Sequence, residues 1–221
     1  MQIGVVSDVH GNRVALDAVL AAMPDVDLLV NAGDVVGYNP WPAECLAAVR
    51  DRGVPTVMGN HDRATVSDGP VRFNAMANAG VEYARERLDD EATAWLAELP
   101  DRRTVADGRV RIVHGHPDNP DRYTYPREFS PRMLGDEDLL VTGHTHVQGS
   151  RTFDGGVVMN PGSVGQPRDG DPRAAFAVVD LDADPPAVDE RRVEYDVERV
   201  VEAVEAAGLP RRIGERLREG R

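Results

Sequence analysis

All six histidines of this chain fall in four short segments, and each segment directly follows a run of apolar, largely β-branched residues. His10 closes Ser7-Asp8-Val9-His10 after residues 3–6, and His61 stands in Gly59-Asn60-His61-Asp62 after residues 55–58. His114 and His116 follow residues 110–113, and His144 and His146 follow residues 139–142. Short apolar runs bounded by glycine and polar residues predict buried strands. A fifth strand end, Ala32-Gly33-Asp34 after residues 28–30, carries a carboxylate, and residues 157–159 form a further run. In open α/β sheets, ligand crevices lie outside the carboxyl ends of strands. Five polar strand ends therefore converge on one crevice, a pattern that scattered surface histidines would not give.

Helical periodicity fills the intervals. Residues 13–23 place Val14, Ala15, Ala18, Val19 and Ala22 on one face, and residues 42–52 place Leu46 and Val49 three apart. Strand, helix, strand implies a partly parallel sheet. Residues 62–72 read as a polar loop, followed by helices over 74–88 and 90–99, the second ended by Leu99-Pro100. From Thr104 onward the pattern is strand-like, with turns at Asp107-Gly108 and Asp154-Gly155-Gly156, so this half is expected to supply a second sheet. Residues 182–186 read as a loop, and the tail over 197–218, interrupted at Pro210, reads as a peripheral helix. A length of 221 residues suits a single domain spanning 1–221.

Composition narrows the chemistry. The formal net charge is −13, and all 25 basic residues are arginine because the chain has no lysine. Such charge is self-repelling, and high ionic strength relieves it, which points to a salt-adapted source; an acidic protein from a GC-rich genome is the plainer alternative. The acidity argues against nonspecific nucleic-acid binding, which needs a basic face. No apolar stretch approaches the roughly 20 residues of a membrane span, and no signal segment is recognisable at the start, so a cytoplasmic protein is expected. Cys45 is the single cysteine, read as a buried helix residue, and neither a disulfide nor a cysteine-based zinc site is available. A metal would need His, Asp and Asn.

Two carboxylates (Asp8, Asp34), four imidazoles (His10, His114, His144, His146) and a carboxamide (Asn60) suit borderline divalent ions such as Mn²⁺, Fe²⁺, Zn²⁺ or Co²⁺. The ligand count suits two ions. In an extended segment residues i and i+2 share a side, so Asp8 and His10 reach one ion while His144 and His146 straddle a pair. Two ions about 3.5 to 4 Å apart need a bridging group, for which Asp34 is the natural carboxylate.

These segments resemble the calcineurin-like metallophosphoesterase superfamily, whose motifs are Asp-x-His, Gly-Asp, Gly-Asn-His-Asp/Glu, a lone His before Gly, and Gly-His-x-His. All five occur in order, over about residues 3–165. Gly37-Tyr38-Asn39-Pro40 and Asn160-Pro161-Gly162-Ser163-Val164-Gly165 are similar to the small prokaryotic phosphodiesterase branch, which is diadenosine-tetraphosphatase-like. The resemblance implies an α/β (α+β) four-layer sandwich, two central mixed β-sheets flanked by helices. It also implies that Asp8, His10 and His146 hold one ion, that Asp34 bridges, and that Asn60, His114 and His144 hold the other. His61 stays off the metals and donates a proton or hydrogen bond to the phosphate or leaving group, with Asp62 orienting its ring. The implied cofactors are two divalent ions, Mn²⁺ foremost, with Fe, Zn, Co or Ni as alternatives.

The implied reaction is attack of metal-activated hydroxide on a small phosphodiester, with a nucleotide or dinucleoside polyphosphate among the candidates. A phosphomonoesterase and a catalytically silent scaffold are the rivals, and intact Asn60, His61 and His114 argue against the scaffold. Gly37 and Tyr38 stand where protein phosphatases and symmetrical dinucleotide tetraphosphatases carry an Asp or Ala and a phosphate-binding Arg, which, with Asp62 where protein phosphatases usually have Glu, argues against protein-phosphatase activity. Nuclease relatives carry extra regions for which this chain has neither length nor charge.

Outside the motifs, Arg63, His116 and Arg168 are candidate substrate contacts, the two arginines being otherwise solvated loop residues. His116 is alternatively a pocket wall or an extra ligand. Tyr38 and Trp41 either stack on a base or pack a Pro-rich loop. Asn160 and Ser163 shape the crevice floor or form a simple turn. Homo-oligomerisation is left open.

Overall fold

Continuous apolar runs, rather than alternating ones, mark strands covered on both faces. The computed structural model, which describes residues 1–67, 69 and 73–221, bears this out. In chain order the elements are β1 (Gln2–Val6), α1 (Arg13–Ala22), β2 (Leu28–Asn31), α2 (Pro42–Arg50), α3 (Asn60–Val66), α4 (Ala75–Arg85) and α5 (Asp90–Ala97). There follow β3 (Arg102–Val105), β4 (Val110–Val113), β5 (Leu139–Val141), β6 (Gly149–Phe153), β7 (Gly156–Asn160), β8 (Ala174–Asp180), β9 (Ala187–Val193), α6 (Val197–Ala206) and α7 (Arg212–Glu215).

Two mixed sheets result. The first has the order β2-β1-β8-β9 and the second β3-β4-β5-β7-β6. β1 and β2 run parallel, as do β4, β5 and β7, while β8 enters the first sheet antiparallel to β1. Odd positions of β1 (Ile3, Val5) meet Ile112, Val141 and Met159 between the sheets. Val6, on the opposite face, packs with Leu16, Val19, Leu46, Val49 and Leu96 of α1, α2 and α5. The outer face of the second sheet, at Leu140 and Val158, is covered by Phe129 and Met133, which flank or belong to the 3₁₀ turns Pro126–Glu128 and Pro131–Met133.

Four expectations change. The strand expected over 55–58 shrinks to one bridge between Asn31 and Thr56, because Pro55 has no N–H for a ladder and the Met58 N–H turns away to the Pro100 carbonyl. Residues 62–66 are helix α3, not loop, because the Asp62 carboxylate accepts the Gly59 N–H at 3.1 Å and caps the first turn; residues 68 and 70–72 of that expected loop lie outside the described residues. The second half supplies the whole second sheet, as expected, but not all of its strands stay there. Its last hairpin, β8 and β9, returns to β1, since the apolar residues of β8 complete the face that β1 leaves open. The tail is α6, a break at Pro210, then α7 and a 3₁₀ turn (Arg216–Glu219). It is less peripheral than expected, since Val200, Val204, Ile213 and Leu217 pack with Tyr38 and Phe73.

Candidate metal centre

At the ends of β1 and β2 the backbone hydrogen bonds continue past the strands: Asp8 N–H donates to the Gly33 carbonyl and His10 N–H to that of Asp34, both at 2.9 Å. This ties the two loops together while their residues leave extended geometry. Asp8, His10, Asp34, His144 and His146 all have φ between 49° and 67°, a left-handed conformation that costs non-glycine residues on the order of 1 kcal/mol or more each. The expectation that 8–10 and 144–146 converge as extended segments is therefore corrected: left-handed turns do it. Glycines admit the close approach. A Cβ at Gly59 would lie 2.0 Å from Asp34 Oδ1, and one at Gly143 would lie 2.1 Å from Ser7 Oγ.

Three buried groups form among the described residues, each with ligand atoms within 4.8 Å of one another: Asp8, His10 and His146; His10, Asp34 and His61; Asp34, His114 and His144. Backbone carbonyls set the tautomers. His10 Nδ1 donates to Val36 at 3.1 Å, His114 Nδ1 to Ala32 at 2.8 Å and His146 Nδ1 to Gln166 at 2.6 Å, leaving Nε2 inward on all three. His144 is reversed: Nε2 donates to the Asp121 carbonyl at 3.2 Å and Nδ1 is left over. His144 and His146 thus go to different groups. Asn60 Oδ1 sits 3.1 Å from His114 Nε2.

The donor set fits cations. The Nε2 atoms of His10 and His146 lie 3.1 Å apart, and neither can donate to the other once both Nδ1 atoms carry the hydrogen. Asp8 Oδ1 is 3.6 Å from His10 Nε2 and 3.2 Å from His146 Nε2, and it is buried without a hydrogen-bond partner. Acceptors facing one another out of water repel unless positive charge sits among them. Asp34 divides its oxygens: Oδ1 accepts the His61 N–H at 2.8 Å, while Oδ2 lies 3.6 Å from His10 Nε2 and 3.4 Å from His114 Nε2.

Electrostatics follow from this crowding. Burial, aided by the Arg168 charge, pushes His146 down to about 3; burial, aided by His114, pushes His144 to about 4. Burial opposes the charged form of His114 too, but the Asp34 carboxylate overcomes it and raises the ring to about 10. Asp34 itself is held far below the usual carboxylate range, since the histidines, His114 foremost, outweigh its burial. His61 is pushed down by burial.

Asp62 does not orient His61. Oδ2 accepts the backbone N–H of Asp34 and Gly59 and Oδ1 that of Val36, so Asp62 clamps the β2 loop to α3. Burial first, then the Asp34 charge, raises it to about 6. His61 Nδ1 is buried with no partner, and the ring lies against Phe73, centroids 4.8 Å apart at 28°.

Beside the centre opens a cavity of about 700 Å³, lined by Tyr38, Asn60, His61, Arg63, Phe73, Asp121, Tyr123 and His144 among others. Arg63 lines it but is paired with Asp101 and Asp121 at 2.5 and 2.8 Å. Arg168 lies outside the lining and donates to Tyr38 Oη at 3.1 Å and Gln166 Oε1 at 2.9 Å, so it braces Tyr38. His116 is corrected: it belongs neither to the lining nor to any metal group, and Nδ1 accepts the Asp118 N–H in a turn. Trp41 packs the loop before α2, and Cys45 is buried in α2. Asn160 donates to the Gly143 carbonyl at 2.6 Å and Ser163 to that of Asp8 at 2.7 Å, so both brace the floor. The sequence reading missed Phe73, Asp121 and Tyr123. Only the last offered a signal, an aromatic within a polar, Pro-marked loop.

Comparison with known proteins follows the same line. The calcineurin-like phosphoesterase superfamily domain matches residues 1–184. A probable metallophosphoesterase of Methanothermobacter thermautotrophicus is 32% identical over 196 residues, 83% of this chain and 91% of that protein. Phosphodiesterase YfcE of Escherichia coli K12 is 27% identical over 82% of this chain and 89% of its own length. The crystal structure of a metallophosphoesterase from Sphaerobacter thermophilus superposes with a TM-score of 0.87 at 35% identity, covering 100% of this chain and 99% of that one.

Proposed function

Since the chain belongs to the calcineurin-like phosphoesterase superfamily, we propose that it is a phosphodiesterase with two divalent ions sharing Asp34. The observation that carries this reading is the position of Asp34 Oδ2, 3.6 Å from one inward Nε2 and 3.4 Å from another. Asp8, His10 and His146 would hold one ion and Asn60, His114 and His144 the other. Mn²⁺ is our first choice, with Fe, Zn, Co or Ni as substitutes that the same oxygen and nitrogen donors accept. When bound, the ions would neutralise the phosphoryl oxygens and lower the pKa of water toward neutrality.

The chain's own residues do the rest. The carbonyls of Ala32, Val36, Asp121 and Gln166 hold the imidazoles in the tautomers that ligation needs. Hydrolysis joins a water oxygen to phosphorus and breaks one ester P–O bond, and the proton that the water gives up ends on the departing alkoxide oxygen, so that the products are a monoester and an alcohol. His61, kept neutral by burial and facing the cavity, supplies an N–H hydrogen bond to that departing oxygen. A diester is favoured over a monoester by the phosphodiesterase name of the E. coli relative. Residues 1–221 would act as one unit, because the tail packs against Tyr38 in the cavity wall.

The test is hydrolysis of bis-p-nitrophenyl phosphate with Mn²⁺ and with chelator over a range of salt. Turnover that needs metal is expected. Its absence at every salt concentration would favour the silent scaffold.

A further inference from the structure

The cavity is far larger than a phosphate needs, and its walls are of two kinds. At about 700 Å³ it falls in the range of small-molecule sites. Two of its walls are aromatic planes that back imidazoles of the centre: Phe73 on His61, and Tyr123 on His144 with ring centroids 3.9 Å apart at 36°. Tyr123 is the exposed large hydrophobic among the described residues, at 51%. A phenol ring held in water beside a candidate ligand offers its free face to whatever is esterified to a phosphate there.

Among the described residues the rim is polar, and its one guanidinium is already paired. Asn74 Oδ1 caps α4 by accepting the Met76 and Ala77 N–H groups at 3.1 Å, which leaves its amide hydrogens to donate. The one cation among the described lining residues, Arg63, is already paired with two carboxylates. Among the described lining residues no unpaired cation awaits a second phosphate, while the aromatic planes and the Asn74 amide suit a flat ring with hydrogen-bonding edges.

We propose that this cavity binds the base of a nucleoside esterified through a single phosphate, with Tyr123 the residue that selects for the base. The proposal rests on the phosphodiesterase reading above, because it needs the phosphate at the metal centre. It separates a nucleoside phosphodiester from an alkyl diester, and from a polyphosphate chain.

The experiment is calorimetric titration of Mn²⁺-supplemented protein with adenosine 5′-monophosphate, ribose 5-phosphate and adenosine 5′-diphosphate. The monophosphate is expected to bind about tenfold tighter than ribose 5-phosphate, the value of one stacked base, and the diphosphate no more than about threefold tighter than the monophosphate. Tyr123→Leu should cut the base-dependent gap below about threefold, and Tyr123→Phe, which keeps the ring, should restore it. A gap near one in the unaltered protein, or a full gap in Tyr123→Leu, would overturn the proposal. A tenfold gain from the diphosphate would overturn its single-phosphate part. Turnover of methyl p-nitrophenyl phosphate, measured separately, reports on the underlying function: binding without any diester turnover would sink that reading and leave the base site standing.

Discussion

The two halves of the centre are supported differently. Around Asp8, His10 and His146 the supports come from strand ends and loops buried between the sheets and α1: the Val36 and Gln166 carbonyls, the Ser7 hydroxyl on Asp8 Oδ2 at 2.6 Å, and the His144 N–H on the same oxygen at 3.1 Å. Around Asp34, His114 and His144 one support is of another kind. The Asp121 carbonyl that fixes His144 belongs to the loop over 116–125, and that loop is tied to α3 by the partly exposed pair Arg63–Asp121. One half is held by the fold, and the other partly by a surface ion pair that salt screens. Arg63 is thus better read as a brace of the second half than as the substrate contact its position in the sequence suggests.

The change that should erase the comparison altogether is Asp34→Asn. If Asp34 serves both ions as proposed, both halves should lose their ion, and diester turnover should fall on the order of a thousandfold or more. A variant that still binds one ion by calorimetry would show that the halves do not share Asp34. His61→Ala should leave both halves loaded yet lower turnover by about 100- to 10,000-fold; an unchanged rate would remove His61 from the chemistry.

Arg63→Ala separates the halves. It should weaken one Mn²⁺ binding event by about tenfold and spare the other, as loss of an outer-shell support does, and raising salt should act in the same direction. Equal weakening of both events would break the distinction drawn above.

Without metal the histidines of the centre pull stability in opposite directions as pH changes, His114 against its own neighbour His144 and against His146 of the other half. His114, raised to about 10 from an ordinary 6.5, contributes stability that is complete below about pH 6.5 and is lost as pH rises toward 10. His144 and His146, lowered to about 4 and 3, contribute stability that is present above about 6.5 and is lost as pH falls through those values. Chelated protein should therefore have its highest urea midpoint near pH 6.5. With metal bound the alkaline decline should weaken, because the ion replaces the His114 proton. A midpoint still rising toward pH 9 in chelator would contradict these assignments. The smallest effect is on the surface: with 38 acidic residues against 25 arginines, thermal stability should rise from low to molar salt, and a flat response would count against salt adaptation.

Much of this was legible in the sequence, for a physical reason. Buried strands must end in polar residues, so the apolar runs located β1, β2, β4, β5 and β7, and the histidines marked the crevice. What escaped depended on long-range partners. Pro55 turned a plausible strand into a bridge, β8 found β1 from the far end of the chain, pairing Val5 with Ala177, and Asp62 gave its oxygens to backbone N–H groups rather than to the adjacent ring. Left-handed φ at five candidate ligands is also invisible to pattern, since Asp and His seldom adopt it unless the surrounding structure holds them there. Phe73 and Tyr123 matter through what they stack on, which no local signal encodes.

The proposal that Asp34 is shared by two ions is tested most directly by anomalous scattering from crystals grown with Mn²⁺. Two peaks about 3.5 to 4 Å apart, one on each side of Asp34, with His146 on one and His144 on the other, are the predicted result. A single peak, or a pair that Asp34 does not join, would contradict it.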